Sequence, residues 1–477
     1  MSLEDLFEDQ MKSGVKDTVK AYQEQMRAGK EIIEHNPIDD TAILHFEAAA
    51  RMDEKKYEPH FQLGTLYFKA NKFSKSVAHF ERSSKLGAKK DLPFNDWYEN
   101  GHVSKDWKDL ARFSKSLEQL TDAYTKEYRH METWEEKFTT IHYTLKDAIY
   151  FATHIMNLEY GNEYGQKGQF ISAMLNKVMT DDDVVELSPK KYLSHLGFRH
   201  QRGKLIITSE NANNVAEEMI GGEIVVNGNA HTGAVRMKGG KLTINGHFGK
   251  YGVHVPDQPC SYMEGGEVLV NGSCDSIGFR LAGGHLNING ECKGDLGAQL
   301  SGGYITLQGL YSGHCIGQHM ASGTILLSDK GSPREIKAQP GNGSIGEEMN
   351  GGSIKFERTN IINFKVGPSM RGGSIVIEGN CCPEHIGTYS PIGIDMSYGK
   401  ISIQGNTVGT IYLNRLQGGQ ININQSSDTA RLYVDKSASS SKRGGQVYLN
   451  GERYYPFTLS FKNISQTFTR VRDVPRY

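Results

Sequence analysis

The sequence predicts an α plus all-β chain: an α-helical N-terminal part followed by a stacked array of parallel strands. Three observations carry this. From residue 203 a short unit recurs almost to the end, reading Gly, any residue, aliphatic, any residue, aliphatic, then a polar residue and often Gly. Residues 1–199 have few glycines and many Glu, Lys, Tyr and Phe at helical spacing. Within that part, Phe80, Ser83 and Ser76 each lie 34 residues after Phe46, Ala49 and Ala42.

The helical part comes first along the chain. PHFQLGTLYFKANKFSKSVAHFERSSKLG, at 59–87, places Leu63, Gly64, Tyr67, Phe73, Ser76, Phe80, Ser83 and Leu86 at alternating small and large packing positions. It resembles a tetratricopeptide repeat, whose period is about 34 residues. Upstream, only a second helix over 41–52 is clear, so one or two repeats are expected. Gly64 and Ser76 let paired helices approach, and Phe46 and Phe80 fill the layer between them. The resemblance implies a groove that accepts a peptide or partner helix, with Leu63, Tyr67, Phe73 and Phe80 as candidate partner-binding residues. The alternative is a short stack that merely braces the array.

Further helical stretches follow at 115–130 and 132–158, with Trp107 and Trp134 nearby. They are expected to cap the array, because an open end exposes unpaired strand edges. YGNEYGQKG at 160–168 reads as a loop, and TDDDVVELSPKKY at 180–192 as a loop or capped helix start. The expected divisions are 1–100, 101–199, 200–455 and a C-terminal tail or cap at 456–477.

The repeats follow. They stand as GKLIIT at 203, GEIVVNG at 222, GKLTING at 240, GEVLVNG at 266, GHLNING at 284, GYITLQG at 303 and GTILLS at 323. The remaining copies are GSIKFE at 352, GSIVIEG at 373, GKISIQG at 399, GQININ at 419 and GQVYLNG at 445. Alternating aliphatics, such as Ile224 and Val226, mean a strand with one buried face. Most intervals are 18–21 residues, too short for a strand–helix–strand crossover but suited to one coil of a β-solenoid. Twelve coils at strand spacing make a rod about 55 Å long.

Before most copies stands Gly-x-x-Met or Gly-x-x-Leu, which places Met219, Met237, Met263, Leu281, Leu300, Met320, Met349, Met370 and Met396 at one point per coil. A gap-filling apolar column explains them without a metal or cofactor. The Asn-Gly pairs at Asn227, Asn245, Asn271, Asn289 and Asn450 suit turns with positive φ, and their amides can stack as a ladder.

CSYMEGGEVLVNG (260–272), IGFRLAGGHLNING (277–290) and LGAQLSGGYITLQG (296–309) resemble the GXGXG-type domain of the glutamate synthase large subunit. The same domain makes up a whole subunit of formylmethanofuran dehydrogenase. The resemblance covers about 203–451 and implies a right-handed parallel β-helix that positions neighbouring modules without catalysing anything. The rest of glutamate synthase has no counterpart: residue 2 is Ser, no βα-barrel pattern precedes the repeats, and no C-x-x-C occurs.

Composition excludes several classes. Lys and Arg number 54 against 55 Asp and Glu, so nothing marks a nucleic-acid footprint. No apolar run approaches membrane-spanning length, and MSLEDLFEDQMK is acidic; the expectation is a cytoplasmic protein without a leader peptide. All six cysteines lie in the repeats: Cys260, Cys274, Cys292, Cys315, Cys381 and Cys382. Cys274 and Cys292 hold matching places in adjacent copies, as buried thiols, a disulfide or a metal pair.

Other constellations are weaker. GNGSIG at 341–346 matches a dinucleotide fingerprint but lacks a strand before it and a helix after it. SGHCIGQH brings His314, Cys315 and His319 together, and CCPEHIG does so for Cys381, Cys382 and His385; these are the candidate metal ligands. The outward residues Val225, Thr243, Leu269, Asn287, Thr306, Lys355, Val376, Ser402 and Asn422 form no stripe of Asp, Lys and Arg such as a polysaccharide lyase carries. Val225 and Leu269 fit a docking patch better. The expected function is a non-catalytic scaffold that docks partner proteins, with no cofactor. The alternative is the structural subunit of a redox complex whose cofactors sit on partner chains. Neither nucleic acid nor membrane is an expected partner.

Overall fold

The computed structural model describes residues 18–36, 39–70, 72–88, 107–126, 131–154, 164–189, 194–249, 258–328, 334–337, 343–362, 364–382, 392–393, 395–405, 407, 410–413, 416–424, 431–434 and 445–455. The chain has an N-terminal helical region followed by a large, mostly parallel β-sheet. It divides into two compact units, Met1–Leu158 and Glu159–Tyr477.

The first unit holds α1 (Thr18–His35), α2 (Asp40–Met52), α3 (Glu58–Lys69), α4 (Phe73–Lys85), α5 (Trp107–Lys126), α6 (Met131–Phe138) and α7 (Leu145–His154). Asp39 caps α2 by accepting from the Thr41 backbone N–H at 2.8 Å, which holds its carboxyl below the usual carboxylate range. Pro59 opens α3 where a missing N–H costs nothing. Met26, Ala42, Phe46, Ala49, Leu63, Leu66 and Tyr67 make one core cluster.

Two close approaches recur here. A Cβ on Gly64 would lie 2.9 Å from the Phe80 ring, and one on Gly29 would lie 2.8 Å from the Phe46 ring. Each aromatic therefore rests on the glycine of the preceding helix. This supplies the helix missing from the upstream copy in the sequence pattern: α1 pairs with α2 as α3 pairs with α4. Ser76 Oγ donates to the Gly64 carbonyl at 2.7 Å, drawing α4 onto α3. Farther on, Arg112 of α5 donates from Nη1 to the fully buried Asp147 of α7 at 2.8 Å, and Asp147 also accepts the Thr144 N–H. That pairing offsets the cost of a buried carboxylate.

The second unit begins with α8 (Tyr164–Val178), which starts inside the segment read as a loop. Its Ser172 hydroxyl donates to the His195 carbonyl at 3.1 Å and accepts from Gly197 N–H at 2.8 Å, and Asn176 donates to the Arg199 carbonyl at 3.0 Å. The helices at 107–154, also expected to cap the array, belong to the first unit. Val184–Leu187, read as a loop or helix start, is instead the first strand of the sheet, paired in parallel with Lys204–Ala212.

Among the described residues all twelve copies contribute strands to a single fourteen-stranded sheet in sequence order. The last of the described strands, Glu452–Tyr455, turns back antiparallel to Gln446–Leu449. Register is kept by identity of position: Leu242 faces Val268, Val268 faces Leu286, and Leu286 faces Ile305. These inward aliphatics are fully buried. Shorter parallel ladders run through Ile277, Leu296, Ile316, Ile345, Val366 and Ile392, and through Ala230, Phe248, Cys274, Cys292 and Tyr311.

The methionine column packs as the pattern requires. Met219, Met237, Met263, Leu281, Leu300, Met320, Met349, Met370 and Met396 are all fully buried. Each such burial contributes roughly 1.5–3 kcal/mol. The column also explains the glycine that opens each copy. Gly284 has φ +81°, and a Cβ there would lie 2.6 Å from Met263 Cε, so a side chain is excluded twice over.

Candidate functional site

In the helical unit the four candidate contact residues close the core. Leu63 and Phe80 are fully buried, and Tyr67 and Phe73 are at most 5% exposed. Their packing, not a partner, accounts for their apolarity. The part of this region that meets solvent is polar and aromatic. His60 Nδ1 and His79 Nδ1 lie 3.1 Å apart with stacked rings, and Tyr67 stacks on His79 at 5.4 Å between centroids. Tyr67 donates its hydroxyl to Glu47 at 2.9 Å, and Lys75 Nζ sits 5.3 Å above the Tyr67 ring. Burial pushes His79 down to about 4, with His60 adding to the effect, so both rings stay neutral near pH 7.

On the large sheet the outward residues form continuous columns. Val225, Thr243, Leu269, Asn287 and Thr306 stand side by side on successive strands and are half-buried. One flank carries Lys204 with Glu223 at 3.2 Å, Lys241 with Glu267 at 3.9 Å, and His285 stacked on Tyr304 at 5.1 Å. The other flank is an amide ladder: Asn245 donates to Asn227, Asn271 to Asn245 and Asn289 to Asn271, at 2.7–2.8 Å. Opposite charges and amides at matching heights stabilise the in-register arrangement and discourage slippage.

Among the described residues no group of three or more His, Cys, Asp or Glu side chains is placed to hold a metal ion. Cys315 lies on a short strand with its thiol 3.3 Å from Ser344 Oγ, while His314 is exposed and His319 lies 3.5 Å from Glu348. Burial pushes the Cys315 thiol up, and Asp295 and Glu347 add to it, the reverse of what a thiolate ligand needs. Cys381 is buried in a ladder between Ile361 and Thr407. Cys382 is placed only as a strand residue, and His385 lies outside the described residues. Cys274 and Cys292 are indeed ladder neighbours, free and fully buried. Their mutual hydrogen bond, then burial, raises the Cys274 thiol well above its ordinary value. GNGSIG contributes a strand at Gly343–Ile345 and is followed by a turn into Met349, with no helix.

Two features escape the sequence pattern. The residue before each column Met or Leu takes positive φ although it is not glycine: Glu218, Arg236, Tyr262, Arg280, Gln299, His319, Glu348, Ser369 and Asp395 lie between +51° and +57°. Several are linked across repeats, as where Arg280 donates to Gln299 at 2.7 Å and lies over Tyr262. The second feature is a Ser, His and Asp group at Ser273, His247 and Asp275, joined across two repeats.

No protein-family model, curated protein or solved structure matches the chain. Among the described residues no helix is long and apolar enough to cross a membrane.

Proposed function

We propose that the chain is a docking scaffold, in which tetratricopeptide-like helices and a right-handed β-helix of the GXGXG type hold partner proteins. The observation that carries this reading is the uninterrupted outward face of the large sheet. Twelve copies keep one register, so one column of half-buried side chains runs unbroken past Val225, Leu269 and Thr306 between a charged flank and an amide flank. A repeat array that spends its inward positions on an interior and keeps its outward ones continuous presents a long surface. On the helices, the half-buried stacked pair of His60 and His79 takes the contact role assigned by pattern to the buried residues.

The test is affinity capture of the native full-length protein, with mass spectrometry and flavin, iron and zinc analysis of the same eluate. The reading expects a stoichiometric protein partner that Leu269→Asp, an outward change, releases without altering the circular dichroism spectrum. Partner retention unaffected by charges along the outward column would overturn the face assignment. A partner carrying flavin or an iron–sulfur cluster would make the scaffold the structural subunit of a redox complex.

A further inference from the structure

The Ser273, His247 and Asp275 group has a layout that neither the repeat pattern nor the scaffold reading requires. Cys274 points into the fully buried ladder, so its neighbours Ser273 and Asp275 both project outward on the same side. The bridge between Phe248 and Cys274 sets His247 opposite Ser273, one repeat earlier. Opposite Asp275 stands Gly249, with φ +142°, where a Cβ would lie 2.9 Å from Asp275 Cβ. That gap lets the imidazole reach both neighbours: His247 Nδ1 is 2.8 Å from Ser273 Oγ, and Nε2 is 3.3 Å from Asp275 Oδ2. The backbone on both sides is fixed, since His247 N–H donates to Asn229 Oδ1 at 2.8 Å and Phe248 N–H to the Ser273 carbonyl at 2.8 Å.

We propose that these three residues form a nucleophilic site that cleaves small esters. Asp275 accepts Nε2–H and so sets the tautomer in which Nδ1 is the free acceptor facing the Ser273 hydroxyl. This is the nucleophile, base and orienting carboxylate of acyl transfer, with the two ring nitrogens used in the opposite sense to the usual triad. The Ser273 backbone N–H donates to no group among the described residues, so it is free to meet an oxyanion. His247 is 32% exposed and Asp275 16%, which admits a small substrate from solvent.

The chemistry closes in two steps. The Ser273 oxygen bonds to the ester carbonyl carbon as its proton passes to His247 Nδ1; the carbon–oxygen bond to the alcohol then breaks, and the alcohol leaves with that proton. Water next attacks the acyl group on Ser273, gives a proton to Nδ1, and releases the carboxylic acid as that proton returns to the serine oxygen.

The experiment treats full-length protein with a fluorophosphonate probe, maps the labelled residue, and measures hydrolysis of p-nitrophenyl acetate. The expected result is a single label on Ser273, lost in Ser273→Ala. That variant and His247→Gln should lower kcat/KM by at least about a hundredfold, mostly in kcat, with melting curves unchanged. Asp275→Asn should lower kcat with little change in KM. Wild-type protein that takes no label at Ser273, or Ser273→Ala protein that hydrolyses the ester at the wild-type rate, overturns the proposal. The label on the wild type needs no variant to fold.

Discussion

In the helical unit each large aromatic has its own seat: Phe46 rests on Gly29 and Phe80 on Gly64. In the ladder unit one seat is copied again and again, with Met263 under Gly284 and Met349 under Gly373. The first arrangement concentrates stability in a few irreplaceable contacts. The second spreads it over equivalent ones, so that damage at one rung leaves intact rungs on both sides. The contrast is one of vulnerability, and it can be tested with matched substitutions read separately in each unit by hydrogen exchange.

The largest effect is expected from Phe80→Ala, which empties the seat on Gly64 and costs about 3–5 kcal/mol. Exchange should accelerate through α1 to α4 while peptides beyond residue 203 keep their protection. Met263→Ala removes a comparably buried side chain, at about 2–5 kcal/mol. Its expected footprint is local, confined to the copies beginning at Gly240, Gly266 and Gly284. Loss of protection across all twelve copies would break the comparison. Gly64→Ala pushes a methyl toward the Phe80 ring and is expected to cost about 1–3 kcal/mol, seen as a lower urea midpoint for the helical unit.

Acid sharpens the contrast. His79 is held down to about 4 in the folded unit against 6.5 for an ordinary histidine, mainly by burial, with His60 and Lys75 lowering it and Glu47 opposing. Its contribution is full above pH 6.5. As pH falls from there toward 4, the unfolded chain takes up a proton that the folded one refuses, and stability declines. Burial, with Arg82 adding to it, shifts His60 in the same direction. The helical unit should therefore melt at lower temperature at pH 5 than at pH 7, and His79→Phe, which keeps a ring against Tyr67, should flatten that dependence. In the ladder unit the buried His200 acts in the same direction, so His200→Gln is the matching control. The smallest effect is expected for Asn271→Ala, which removes one donor and one acceptor of an exposed amide ladder and costs below about 1 kcal/mol by thermal melting.

Much of this was legible in the residues because repetition makes weak signals add. Alternation at Ile224 and Val226 says little alone, but twelve copies make a sheet. The methionines and the Asn-Gly pairs marked the interior and the amide ladder for the same reason. Non-repeating features stayed hidden. Val184–Leu187 has no Gly-rich flank and follows three aspartates, and α8 begins among the glycines of YGQKG. The pairing of Gly29 with Phe46 was obscured because α1, although it sets Tyr22, Met26, Ile32 and Ile33 against the core, is more polar overall than α3. His247 and Ser273 hold the same place in adjacent copies, seven residues after Gly240 and Gly266, but nothing in the repeat marks the residues at that place as a chemical group. Leu63, Tyr67, Phe73 and Phe80 show the opposite failure: pattern found the right residues, but burial gives them to the core.

The order of strands in the large sheet follows the order of residues, each new strand lying on the one made just before it. Such a sheet can be assembled by a growing chain from the N-terminal edge outward, every rung finding its template already in place and waiting for nothing downstream. Its length is then a matter of how many copies are written into the gene: a whole unit can be gained or lost by duplication or deletion while its neighbours keep their register. Among the described residues the series ends on the antiparallel strand Glu452–Tyr455, which takes up the open edge of the copy before it.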